Sequence, residues 1–198
     1  ARKRRMPLPI EMGLQVIMAY AKGAKGISYY IHSGSKVVCG GTVPQLYETL
    51  KDVNTLAIKL SELCAIGDWV PLVVSCSNEN VNIDTILCGD EGLLVFLINL
   101  DFDSAPTGFT SVPQKDVKVE IKLPDELSVS SAIRFNGSKE EPVSMDSEDK
   151  PSTRVSLLSF LGGRKKAPPI IINLDDAGSR VQFSLDELTL TEVVYLKF

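Results

Sequence analysis

The feature that most constrains this chain is a single predicted strand that lies between two helical segments, ahead of a remainder that reads as all-β. Residues 26–32, "GISYYIH", alternate between an apolar face suited to packing against helices and a polar, aromatic face. The apolar face consists of Ile27, Tyr29 and Ile31. The polar, aromatic face consists of Ser28, Tyr30 and His32. Because a strand needs hydrogen-bonding neighbours or a covered edge, this segment requires partners that the flanking helices cannot supply.

The two helical segments have different apolar patterns. Residues 7–21 begin with prolines suited to a helix entrance and are apolar nearly all round, so this helix is predicted to be covered on more than one side. Residues 44–66 carry one continuous apolar stripe and end at Gly67. After Trp69 and Pro71, short runs rich in Val, Ile, Leu and Phe follow one another between turn residues.

These runs predict an antiparallel β-sandwich, because several strands in series need a second layer to cover them. The runs are VNIDTILCG, GLLVFLINL, DVKVEIKLP, SVSSAIRFNG, SRVQFSL and LTEVVYLKF. Residues 90–92 between the first two read as a hairpin turn. Residues 137–153 are polar and turn-rich, which predicts an exposed loop with little fixed structure.

Composition excludes several classes of function. The net charge of −4 argues against a general nucleic-acid binder, and no apolar stretch reaches the ~20 residues that span a bilayer. One histidine and four cysteines without CxxC spacing make a zinc site improbable, so no metal and no cofactor are expected. The disulfide state stays open for Cys39, Cys64, Cys76 and Cys88. The cellular compartment is not indicated.

Three segments resemble parts of known enzymes. "RMPLPIEMGLQVIMAYAKGAKGISYYIH" resembles the closing segment of the (β/α)8 barrel of certain glycoside hydrolases. "GDEGLLVFLINLDFDS" and "VQFSLDELTLTEVVYLKF" resemble strands of the accessory β-sandwich that follows such barrels. The resemblance implies an α/β plus all-β fold: the final helix–strand–helix of a TIM-type barrel, then an antiparallel β-sandwich. The implied domains are 1–70 (helix 7, strand 8 and helix 8) and 71–198.

The resemblance also implies a function. The chain is expected to be a C-terminal fragment or subunit of a glycoside hydrolase, with a carbohydrate substrate and the remainder of the barrel, in the same or a separate chain, as partners. Neither nucleic acid nor membrane is expected as a partner. Because the paired carboxylates of glycoside hydrolysis lie upstream in this fold, this chain contains no catalytic residue and is expected to be inactive alone.

Candidate substrate-binding residues follow from the same resemblance. Tyr30, His32 and Ser33 lie at the C-terminal end of the implied barrel strand and in the loop after it, where such barrels bind substrate. A structural role for His32 and interior filling by Tyr30 both stay open. For Trp69, packing at the domain junction is favoured over a platform for a sugar.

An alternative interpretation is a non-catalytic β-sandwich module with a helical cap, which binds a glycan or a protein partner. It predicts that residues 7–66 form a self-contained cap, with the strand at 26–32 added to a sheet of the sandwich. The barrel interpretation predicts unpaired strand edges and a large bare apolar surface on the first helix.

Overall fold

Two α-helices and fifteen β-strands make up the part of the chain that the structure describes. The structure is a computed structural model, and it describes residues 7–29, 43–136, 139–143, 145–146, 157–158, 166–167, 170–175 and 179–198. The helices are α1 (Pro9–Ala21) and α2 (Val43–Ile66). The strands are β1 (Asp68–Trp69), β2 (Val73–Cys76), β3 (Val81–Leu87), β4 (Gly92–Asn99), β5 (Phe102–Ala105), β6 (Gly108–Ser111), β7 (Gln114–Lys122), β8 (Ser131–Asn136), β9 (Lys139–Val143), β10 (Met145–Asp146), β11 (Leu157–Leu158), β12 (Lys166–Ala167), β13 (Ile170–Leu174), β14 (Arg180–Leu188) and β15 (Thr191–Lys197).

Most of these strands belong to two sheets. The first sheet has the order β1–β3–β4–β15–β8–β9, and the second has the order β10–β13–β14–β7–β2. Every described pairing is antiparallel except that of β10 with β13. All six apolar runs of the sequence contain a strand, which confirms the prediction of antiparallel sheets, and the hairpin at residues 90–92 joins β3 to β4.

The first sheet is covered on both faces, and β4 at its centre is buried along its whole length. Leu93, Val95 and Leu97 point into a core shared with the second sheet. Leu94, Phe96 and Ile98 point the other way, into a core shared with the two helices. The described chain therefore has three layers, with the helices, the first sheet and the second sheet stacked in that order.

The helical layer is held by hydrogen bonds as well as by apolar packing. Helix α1 begins where the Glu11 carboxylate accepts a bond from the Leu8 backbone N–H at 2.7 Å. The Tyr20 hydroxyl donates to the Ala57 carbonyl at 3.1 Å and joins α1 to α2. The Lys25 ammonium donates to the Cys64 carbonyl at 2.7 Å and to the Gly67 carbonyl, so it caps the C-terminal end of α2.

The predicted fold class is wrong in its first half. Residues 26–29 form no strand and pair with no described strand, so the helix–strand–helix of a TIM-type barrel is not seen in the described chain. Ile27 and Tyr29 pack against the core beneath the helices. The large bare apolar surface expected on the first helix is not found. Only Gln15 of α1 is exposed, because the helix is buried against the first sheet and α2. The fold is β-rich and mostly antiparallel.

Other predictions have mixed outcomes. The covering of α1 on more than one side is confirmed. The helices lie on the sandwich as a cap, as the alternative interpretation predicts. Residues 26–29, however, add no strand to the sheets of the sandwich. Residues 139–143 and 145–146 form β9 and β10, so the expected loop at 137–153 is wrong there. The domain boundary between residues 70 and 71 stays a prediction. In the described ranges, neither helix is both long and apolar enough to cross a membrane.

Candidate functional site

The substrate-binding residues predicted from the sequence, Tyr30, His32 and Ser33, lie outside the described residues and stay predictions. The nearest described side chain is that of Tyr29. Its hydroxyl is buried and has no hydrogen-bond partner among the described residues, and burial raises the pKa of this phenol above its ordinary value.

The strongest candidate site in the described chain surrounds Trp69, the sole tryptophan of the sequence. Trp69 lies on β1, at one edge of the first sheet, and is paired with Ile86 of β3. The pairing puts the side chain on the same face of the sheet as Ile86, which is the face toward the helices, and 52% of Trp69 is exposed. Trp69 is thus about half covered, and its packing at a domain junction stays a prediction.

A buried carboxylate fixes the orientation of this exposed ring. Asp84 of β3 is only 4% exposed, and its Oδ1 accepts a hydrogen bond from the Trp69 Nε1–H at 3.2 Å. The Asn82 amide donates to Oδ2 at 2.6 Å, and the Lys22 ammonium lies 2.8 Å from both carboxylate oxygens. These donors and the opposite charge of Lys22 offset the cost of burying the carboxylate.

Local sequence explains why these four side chains meet. The period of two along β3 puts Asn82, Asp84 and Ile86 on one face, toward the helices. Gly23, with a φ of +88°, ends α1 so that Lys22 lies at its C-cap. Gly67 lets the chain pass close to β3, since a Cβ there would lie 2.5 Å from the Ile86 Cγ2.

The arrangement offers a ligand an apolar ring face beside hydrogen-bonding groups. The indole N–H is already used by Asp84, so the exposed part of Trp69 is its aromatic surface. The Lys22 side chain is 61% exposed, which leaves its ammonium within reach of a ligand as well as of Asp84. A sugar ring, with an apolar C–H face and hydroxyls at its rim, matches both features. Asp84 is buried and accepts hydrogen bonds from three side chains, so it is suited to positioning the ring.

One signal for this site is present in the sequence. Asn82 and Asp84 are polar residues at alternate positions of the strand "VNIDTIL", so they share one face. That face also carries Ile86, the partner of Trp69. For metals, the described ranges hold no group of three or more His, Cys, Asp or Glu side chains placed to bind an ion.

Comparisons with known proteins give a fold but no family. No protein-family model matches the chain, and no curated protein sequence matches it. Among solved structures, the chain is similar to a cycloisomaltooligosaccharide glucanotransferase from a Paenibacillus species, solved with cycloisomaltoheptaose. That match has a TM-score of 0.58 and 14% identity, and it covers 96% of this chain and 27% of the glucanotransferase.

A second similar structure is the alpha-L-fucosidase isoenzyme 2 of Paenibacillus thiaminolyticus, at 13% identity and a TM-score of 0.33. That match covers 79% of this chain and 19% of the fucosidase, an overlap too loose to indicate a common fold. The chain thus spans about a quarter of the length of the glucanotransferase, with which it shares a β-rich fold.

Proposed function

We propose that this chain is a non-catalytic part of a carbohydrate-active enzyme and that it binds a saccharide at Trp69. The observation that carries the proposal is a tryptophan that is 52% exposed although its indole N–H donates to a buried carboxylate. Exposure of an aromatic ring to water is unfavourable. A hydrogen bond that keeps the ring exposed therefore indicates that the ring face binds a ligand.

Fixing the ring before binding raises the affinity for a ligand. A flexible tryptophan loses side-chain entropy when it is immobilised, at a cost of about 0.5–1.5 kcal/mol. Here Asp84 has already fixed the ring through Nε1, and Lys22 holds the carboxylate in place. Tryptophan is also among the residues whose truncation most often costs about 2 kcal/mol or more in a binding site.

Two observations support the proposal that this chain is part of a carbohydrate-active enzyme. They are the resemblance of its sequence to glycoside hydrolases and the fold that it shares with a portion of the glucanotransferase. Glycoside hydrolysis requires two carboxyl groups on either side of the scissile bond. In this proposal those groups are supplied by polypeptide upstream of this chain, and this chain holds the saccharide near them. The ligand of the glucanotransferase, cycloisomaltoheptaose, makes isomaltooligosaccharides the first probes.

The experiment uses the single tryptophan as a reporter. Isomaltooligosaccharides of increasing length are titrated into the chain while Trp69 fluorescence is recorded, and affinity electrophoresis in a dextran gel compares Trp69→Ala with wild type. We expect a saturable fluorescence change, and for Trp69→Ala an affinity at least about tenfold lower, equivalent to about 1.4 kcal/mol. Val74→Ala is the matched control, because Val74 is also an exposed apolar residue, 54% exposed, on the second sheet.

Equal retardation of Trp69→Ala and wild type would show that the indole is not the binding surface. Absence of any retardation or fluorescence change with dextran, starch and their oligosaccharides would overturn saccharide binding at Trp69. In that case a protein partner would be the next candidate ligand, because Ile66 (54% exposed) and Trp69 (52% exposed) are large exposed apolar residues.

A further inference from the structure

The second sheet has a polar depression on its outer face, which faces away from the helices and from Trp69. It is formed by two rows of side chains across β2, β7 and β14. In the first row Glu120 is paired with Ser75 and with Gln182, and in the second Lys118 is paired with Ser184 and hydrogen-bonded to Ser77. The depression has a volume of about 260 Å³.

The alternation of the strands explains why this surface is polar. Val119 and Phe183 lie between the two rows in sequence, but both are buried and point to the opposite side, into the core between the sheets. No aromatic ring is therefore presented to a ligand in the depression. Any ligand here must be held by hydrogen bonds, in contrast to the exposed indole of Trp69.

The groups of the depression have hydrogen-bonding capacity to spare. Within the described chain, the side chains of Ser75, Lys118, Gln182 and Ser184 make no hydrogen bond or ion pair. Glu120 is held by the Arg180 guanidinium at 2.5 Å, which neutralises its charge. The set combines one ammonium donor, an amide that donates and accepts, and two hydroxyls that do both.

Strand geometry gives the size of the ligand. Three adjacent strands span about 10 Å, and two residues along a strand span about 7 Å. That area matches one sugar ring with its hydroxyls, and the volume is slightly below the range of about 300–1,000 Å³ typical of sites for drug-sized ligands. The hydroxyls of a sugar ring can accept from the Lys118 ammonium and can exchange hydrogen bonds with the amide and the two serine hydroxyls.

We propose that this depression is a second saccharide site, which binds one neutral sugar unit through Ser75, Lys118, Gln182 and Ser184. It lies on the opposite side of the molecule from Trp69, across both sheets, so the two sites are independent. The proposal goes beyond the function assigned to Trp69 and survives if that site binds nothing. A chain with both sites would bind one saccharide on each side of the molecule.

The test is a nuclear magnetic resonance titration of the ¹⁵N-labelled chain with glucose, isomaltose, maltose and N-acetylglucosamine. We expect saturable shifts of the backbone amide signals of Ser75, Lys118, Gln182 and Ser184 with at least one of these sugars. For the double variant Lys118→Ala/Gln182→Ala, we expect a dissociation constant at least about tenfold higher, because two of the four groups are lost.

Lys115→Ala is the matched control, since Lys115 is an exposed lysine on the same strand but outside the depression. It should bind as wild type does, and so should Trp69→Ala, which separates the two proposals. The double variant replaces side chains on an outer sheet face, and its amide spectrum reports whether it is folded. Unchanged affinity of a folded double variant, or no shift at these four amides with any of the sugars, would overturn the second site.

Discussion

At the scale of single residues, Asp84 determines how Trp69 is presented. It receives hydrogen bonds from Trp69, Asn82 and Lys22, and it is 4% exposed. Asp84→Ala removes the shared acceptor and leaves the indole free to rotate. Because Lys22 is 61% exposed and can be rehydrated, we expect a loss of about 1–3 kcal/mol in the free energy of unfolding rather than the larger cost of a fully buried pair.

Urea unfolding measures that loss, and fluorescence anisotropy of the single tryptophan measures the loss of orientation, which should appear as a lower value. The saccharide affinity should fall even though the indole itself is intact. Asp186→Ala is the control, because Asp186 is an exposed aspartate on the second sheet, and it should change stability by less than about 0.5 kcal/mol. Equal stability and anisotropy for Asp84→Ala and wild type would contradict an anchoring role.

Residue-level prediction from the sequence was least successful at this site. Trp69 and Asp84 are 15 residues apart, and Lys22 and Asp84 are 62 apart, so no local pattern connects the three. Composition could identify Trp69 as unique, but whether an aromatic ring is buried depends on what lies opposite it. The face shared by Asn82 and Asp84 was readable from the period of two, whereas its burial under α1 was not.

At the scale of elements, the central pairing of β4 with β15 depends on a glycine. A Cβ at Gly92 would lie 2.3 Å from the Leu196 carbonyl oxygen and 2.6 Å from the Tyr195 ring. Gly92→Ala therefore forces β4 and β15 apart at the end of their pairing. We expect the free energy of unfolding to fall by about 1–3 kcal/mol, the usual cost of overpacking, as measured by urea unfolding.

Gly26→Ala is the matched control for that substitution. A Cβ at Gly26 would have no atom within 4 Å, and its φ is outside the left-handed region. We expect no loss of stability and a gain of up to about 1 kcal/mol from the reduced entropy of the unfolded chain. If both variants lose the same amount, steric contact at β15 is not the reason that glycine is required at position 92.

The elements themselves were largely predictable. Helix α1 was predicted over residues 7–21 and found at Pro9–Ala21, and β4 and β15 lie within the runs that predicted them. These elements have strong periods of 3.6 or 2, and the period is a local property of the sequence. β9 was missed because "KEEPV" is polar, and its pairing with β8 provides the stabilisation that its composition does not indicate.

At the scale of the whole molecule, the core between the helices and the first sheet is predicted to make the stability of the fold sensitive to alkali. Burial raises the pKa of Cys64 and of Tyr195 to about 12 and that of Cys88 to about 11, and it raises the pKa of Tyr20 as well. The ordinary values are 9.0 for the thiols and 10.0 for the phenols. The folded state therefore holds these protons more tightly than the unfolded state does.

The sign of the effect follows from these directions. The contribution of the neutral thiols and phenols to the free energy of unfolding is fully present below about pH 9. It is lost as the pH rises toward about 12, because the unfolded chain then releases protons that the folded chain retains. Thermal melts at one-unit steps from pH 7 to pH 11 should show a constant Tm up to about pH 9 and a falling Tm above it. Tyr195→Phe should reduce the fall, and a Tm that stays constant to pH 11 would contradict the prediction.

The sequence by itself determined the helices, most of the strands and the antiparallel character of the sheets, because those properties depend on the spacing of apolar residues along the chain. Only the tertiary structure decided what covers the helices. An apolar helix face is the same whether it packs on a barrel or on a sandwich, and here Leu94, Phe96 and Ile98 of β4 provide the cover. The barrel was predicted wrongly for a physical reason: burial arises from contact between distant segments, and the pattern within either segment does not specify its partner.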